Sequence, residues 1–161
     1  MIESSKPRLA PKFVPVGVMA LLGVILFVTV VHNDLAALSA SRSANAPTGL
    51  IIRYALAMAI GGALAGFALS RLFGRTGVLG WIWALIAGIL ATIGSGLIGG
   101  LFGRLPELLS DGFQAGDLIA VAAGTLILPF ALGDDVWLAI LWLAMILAAH
   151  VWKRHLQNRQ T

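Results

Sequence analysis

The chain has 161 residues, 59% of them hydrophobic and 11% charged, with a mean hydropathy of +0.94. Water-soluble domains hold about 45–50% apolar and about 25% charged residues, so this composition leaves too little polar surface to clothe a globule in water and implies an integral membrane protein. Cysteine is absent, which excludes disulfides, thiolate metal sites and thiol nucleophiles, and the formal charge of +4 sits at the ends of apolar runs, the pattern selected by anionic headgroups rather than by nucleic acid.

Residues 1–12 carry Lys6, Arg8 and Lys12 and read as a basic cytoplasmic N-terminus. The uncharged run 13–31 follows, ending at His32-Asn33-Asp34. Its 19 residues, at about 1.5 Å each, nearly match a hydrocarbon core of roughly 30 Å. Ala44-Asn45-Ala46 has the small-x-small form of a signal-peptide cleavage site, but the apolar run exceeds the usual 7–15 residues or so, and Pro47 follows the cut, so a retained first span is expected. Leu35 to Gly49 reads as a short helix and loop outside the bilayer.

A second run, 50–73, has Arg53 and Arg71 near its two ends, where long basic side chains can reach opposite interfaces. After Gly74-Arg75-Thr76-Gly77 a third run covers 78–103, opened by Trp81 and Trp83 at the depth that indoles prefer. From Arg104 to Asp117 the chain reads as a solvated loop. The fourth run, 118–132, is only 15 residues long and rises about 22 Å as a helix, short of the bilayer core, with Pro129 near its end. The fifth, 136–152, leads into a basic tail, 153–161.

Short cytoplasmic loops carry the excess of Lys and Arg. If all five runs cross with the N-terminus inside, five basic residues lie inside (Lys6, Arg8, Lys12, Arg71, Arg75) and six outside (Arg42, Arg53, Arg104, Lys153, Arg154, Arg159), the wrong sign. If the fourth run enters and leaves on one side, the tail returns inside and the count becomes eight against three. The charge rule thus favours four crossings with both termini cytoplasmic.

Of the 19 glycines, 12 lie between Gly61 and Gly103. Gly62 and Gly66, Gly96 and Gly100, and Gly99 and Gly103 are each four apart, so each pair shares a helix face where backbones can approach closely. The expected use is packing of the second helix on the third, with self-association or docking of another membrane subunit as the competing use. Tyr54–Arg75 also aligns without gaps on Trp83–Arg104, both ending in Leu-Phe-Gly-Arg. Successive spans run in opposite directions, so a true repeat would be inverted. Chance matches are common in so apolar a chain.

Proton- or ion-coupled transport relies on an ionisable group inside the membrane, yet every Asp and Glu falls in a loop or tail. The mid-span polar groups are Thr29, Thr92, Ser95 and Thr125, hydroxyls that ordinarily bond the carbonyl one turn back. His32-Asn33-Asp34 lacks a third metal ligand nearby, and His150 and His155, about 140° apart around a helix, read as interfacial. Asp135 and Asp117, each preceding an apolar run, read as helix caps. Lys6, Arg8 and Lys12, with Trp152, Lys153, Arg154 and Arg159, read as contacts to lipid headgroups or to a partner. There is no Walker loop, Gly-x-Ser-x-Gly, HExxH or dinucleotide fingerprint, and no cofactor is expected.

The expectation is therefore an all-α polytopic transmembrane bundle of four or five apolar helices, with a short fourth segment that crosses or re-enters, in a bacterial cytoplasmic membrane. Its expected role is a non-catalytic accessory, assembly or structural subunit of a larger complex or homo-oligomer, with the bilayer and other membrane subunits as partners and no nucleic acid. The alternative is a small transporter or channel subunit, suggested by Pro129 and the inverted-repeat pattern.

Overall fold

The computed structural model describes residues 10–39 and 48–159, with the side chains of 34–39 and 120 excepted. Lys6, Arg8, Arg42 and the Ala44-Asn45-Ala46 motif lie outside the described residues. Those described form helices and turns with no strand: α1 Phe13–Ser39, α2 Thr48–Ala68, a 3-10 turn Ser70–Leu72, α3 Gly77–Gly103, α4 Leu105–Asp111, α5 Ala115–Asp134 and α6 Val136–Asn158. Five of them, all but α4, are long and apolar enough to cross a membrane, and the chain is an integral multi-pass membrane protein.

Several boundaries differ from those read off the sequence. α1 continues past residue 31 to Ser39, because Leu35-Ala36-Ala37-Leu38 are strong helix formers and no glycine or proline interrupts them. α2 ends at Ala68 rather than at 73. Phe73 turns extended and is almost wholly buried, and Gly74 takes φ +78°, a left-handed conformation that reverses the chain before α3. The expected loop 104–117 contains α4, whose Pro106 sits in the first turn, where a missing N–H costs nothing.

α5 is 20 residues long rather than 15. Its cap is Gln114 and not Asp117: Asp117 is the third helical residue and accepts the Gln114 N–H at 2.9 Å, a capping box that starts the helix earlier. At the other end the helix runs through Pro129 to Asp134. Asp135 caps α6, accepting the N–H groups of Trp137 and Leu138 at 2.8 and 3.2 Å. The expected tail from 153 is instead the last turns of α6, which extends to Asn158.

α3 is the axis of the bundle: 44% of its most apolar stretch is buried, against 12% for α5. Two stripes of small residues run along it. Ser95, Gly99 and Gly103 face α2, where the Gly61 backbone lies on Gly99, Met58 on Gly99 and Tyr54 on Gly103. Gly88, Thr92, Gly96 and Gly100 face the other way, toward Ile146 and Trp142 of α6 and toward Gly124 and Val121 of α5. Gly62 and Gly66 pack not on α3 but on α1, against Met19 and Pro15. Ala84, Ala87 and Ala91, fully buried, continue the small-residue surface to the start of α3.

The two ends of the bundle differ. At one, here called proximal, the start of α1 (Pro11, Lys12), the end of α2, the turn 70–74 and the end of α6 (Lys153, Gln157) surround one cavity. At the other, distal end, Asp117 at the start of α5 meets Arg104 at the end of α3. Asp134 and Asp135, at the far end of α5, line a recess with Thr29 and Asn33 of α1, and Leu138 packs in one cluster with Leu26, Met58 and Leu128. The Leu-Phe-Gly-Arg blocks are not structural equivalents: 101–103 are helical, whereas 70–74 form the 3-10 turn and the reversal at Gly74.

The two glycines of one α3 pair respond differently to a methyl group. A Cβ at Gly96 would press into the Gly124 carbonyl oxygen, whereas one at Gly100 meets Val121 in ordinary contact at 3.5 Å. Gly96→Ala should therefore destabilise by about 1–3 kcal/mol, while Gly100→Ala should stay within about 0.5 kcal/mol of wild type. Thermal unfolding of both in one detergent checks this, and equal stability of the two would refute the assigned α3–α5 contact.

Candidate functional site

The proximal polar cluster is built by α6 closing on the α2–α3 turn. Ile146, Ala149, His150 and Lys153 recur at helical spacing on the buried face of α6, so two polar side chains stand where a core stripe would continue. His150 is fully enclosed: its Nδ1 accepts the Gly74 N–H at 3.1 Å, and its ring lies 4.7 Å from the Trp81 ring, centroid to centroid. A ring nitrogen that accepts carries no proton, so the neutral ring bears it on Nε2, which is buried without a partner among the described residues. Lys153 is 5% exposed and its ammonium donates to the Ser70 carbonyl.

What the sequence did not show is that both turn inward: His150 is enclosed by the bundle, and Lys153 belongs to the buried face of α6 rather than to a separate tail. Gly74 permits the closure, since a side chain there would run into Gln157 Oε1 and Lys153 Cγ. Trp152 and Arg154 do remain on the outside of α6, at 55% exposed for Trp152. Arg75 stacks over Trp83, 5.6 Å from its ring centroid, and Lys12 lies 5.2 Å from the Phe13 ring.

Beside Lys153 opens a cavity of about 560 Å³, lined by Lys12, Ser70, Arg71, Lys153 and Gln157 with apolar Phe67 at its edge. Arg71 was legible only as a snorkelling arginine, and nothing in the linear sequence joins it to residues 59 positions before and 82 after it. The signal that was present is the break in the core stripe at His150 and Lys153.

The distal end carries the ion pairs. Arg53 of α2 donates to Glu107 of α4 at 2.7 Å, and Arg104 lies 3.4 Å from Asp117. Arg53 also rests 5.3 Å from the Tyr54 ring, which stacks on Phe27 of α1 at 6.2 Å. These contacts brace α4 and the start of α5 against the bundle. Within the bundle, Thr29, Thr92 and Thr125 donate to the carbonyls of Ile25, Gly88 and Val121, one turn back as expected. Ser95 does not: its hydroxyl donates across to the Met58 carbonyl of α2 at 3.1 Å. Thr92 in addition accepts the Trp142 indole N–H at 2.8 Å.

No group of three or more potential metal-ligating His, Cys, Asp or Glu side chains exists among the described residues. The chain was compared with protein-family models, with curated proteins and with solved structures, and none matches.

The hydrogen bond from Arg53 holds the Glu107 carboxyl below its usual range, helped by its own backbone N–H and by the positive charge of Arg53 and Arg104, and opposed by burial. A carboxyl whose folded pKa is depressed adds stability above its unfolded pKa and loses it as pH falls through the folded value. The stability difference between wild type and Glu107→Gln should therefore be largest near neutrality and vanish in acid. Melting curves of both across pH check this, and a difference independent of pH would refute it.

Proposed function

We propose that this chain is a non-catalytic accessory, assembly or structural subunit of a larger membrane complex or homo-oligomer in a bacterial cytoplasmic membrane. The observation that carries this reading is the contrast between its interior and α5. The four mid-span hydroxyls each donate to a backbone carbonyl of the chain itself, so none of the four has its proton available to a ligand. α5, by contrast, is held chiefly along one edge, with Ile119, Leu126 and Phe130 exposed at 73, 54 and 70%. The glycine pairs suggested for association are already occupied by helices of the same chain, so we place the partner on the open flank of α5. The second reading, a small transporter or channel, draws on the recess of about 380 Å³ between α1 and the α5–α6 joint, lined in part by Thr29, Asn33, Asp134 and Asp135.

We further propose that α5 does not cross the membrane, giving four crossings with both termini cytoplasmic. Support comes from the ends of α5, which both contact the distal half of the bundle, and from Lys12 and Lys153 sharing the proximal cavity. The eight-to-three distribution of basic residues agrees with it.

Affinity purification of the full chain from native membranes in a polymer disc, with mass spectrometry of the intact particle, tests the first reading. Stoichiometric companion subunits, or a defined homo-oligomer, should be retained by wild type and lost on Ala122→Trp, which enlarges an exposed position of α5. A particle containing one copy of this chain alone would refute it and favour transport, to be read as flux in reconstituted vesicles.

Because the chain lacks cysteine, single-cysteine labelling tests the topology without background. Ser110→Cys and Asp134→Cys should react with an impermeant thiol reagent from one side and Asn158→Cys from the other. Labelling of Asp134→Cys from the side opposite Ser110→Cys would establish a fifth crossing.

A further inference from the structure

We propose that the proximal cavity binds a phosphate group, carried by the headgroup of an anionic phospholipid, with free phosphate as the other source of the same chemistry. Three cations from three separate elements converge there: Lys12 ahead of α1, Arg71 in the 3-10 turn and Lys153 on α6, with the Gln157 side chain beside them. None of the three makes an ion pair with a described carboxylate. The carboxylates whose side chains are described, Glu107, Asp111, Asp117, Asp134 and Asp135, all belong to α4, α5 or the α5–α6 joint.

Lys153 makes the case for an anion rather than for a solvated basic patch. Its ammonium has three donors and stands nearly enclosed, with the Ser70 carbonyl as its hydrogen-bond partner. A charge withdrawn from water is tolerated when an opposite charge completes its shell, and a neutral carbonyl does not supply one. Lys12 and Arg71 are exposed side chains on the rim, so a phosphate seated between them and Lys153 would receive charge from three directions, with the planar guanidinium of Arg71 suited to two of its oxygens.

The surroundings favour a lipid over a bare ion. The cavity, about 560 Å³ and open on one side, has room for a headgroup as well as for a bare ion. Phe67 at its edge and Leu64 one turn back are 53% and 47% exposed on the outer face of α2, an apolar track along which acyl chains can lie once the headgroup is seated. Basic pockets between transmembrane helices on the cytoplasmic side are established headgroup sites. This goes beyond general attraction of a basic tail to the membrane, because it requires Arg71 and excludes Arg154 and Arg159, which lie outside the cavity.

The test is native mass spectrometry of the full-length protein released from mixed phosphatidylglycerol and phosphatidylcholine discs, with and without excess inorganic phosphate. Wild type should retain one phosphatidylglycerol in preference to phosphatidylcholine, undisplaced by phosphate. Lys12→Gln/Arg71→Gln, which removes two rim charges and leaves Lys153 in place, should reduce that retention roughly tenfold or more, while Arg154→Gln/Arg159→Gln should not. Displacement of the lipid by phosphate, together with saturable stabilisation of wild type but not of the rim variant by phosphate alone, would assign the cavity to free phosphate. Equal retention of the two lipids without such stabilisation, or equal loss in the rim and control variants, would overturn the proposal.

Discussion

Everything in this bundle depends on how closely α3 lets other backbones approach it. In a bilayer, burying a leucine between helices gains little over leaving it in lipid, so association comes from van der Waals contact and hydrogen bonds at short range. α3 meets that requirement on two sides at once. One small-residue stripe receives α2, with Ser95 donating to the Met58 carbonyl, and the other receives α5 and α6, with Thr92 accepting from Trp142. Because the stripes are offset around the helix, the same 27 residues hold neighbours on both sides, and α1 is added through α2 by Gly62 and Gly66.

Polar chemistry is divided between the ends. Distally, Arg53–Glu107 and Arg104–Asp117 tie the short α4 and the start of α5 to the long helices. Exposed pairs of this kind contribute modestly to stability, but here they fix the path of the chain between α3 and α5. Proximally the charges are basic and without described acidic partners, and the closure of α6 on the α2–α3 turn buries His150 and Lys153 against Gly74 and Ser70. A bundle built in this way brings the start of α1 and the end of α6 together at one end, around a cavity lined by Lys12, Arg71 and Lys153.

α5 is the element that links architecture to the proposed role. It is as long as a spanning helix, yet both its ends contact the distal half of the bundle and most of its surface has no neighbour among the described residues. Its attachment through Gly96 and Gly124 leaves the outward side open.

Much of this was legible in the sequence, and the division has a physical cause. Hydropathy depends on local composition, so the all-helical, membrane-spanning class and the approximate places of the five long helices follow from residues read in order. The cap at Asp135 and the back-bonded threonines were legible for the same reason, being interactions within one turn. What depends on partners distant in the chain was not. Which helix each glycine pair receives, the bond from Ser95 to Met58, and the closure of His150 and Lys153 on the turn are set by how the helices rotate about their axes, and one sequence is compatible with many such rotations. The length of α5 was missed because its capping box begins before the apolar run and Pro129 does not end it. The proximal cavity gathers Lys12, Arg71 and Lys153 from three segments; only the packed bundle brings charges so far apart in the chain into one place.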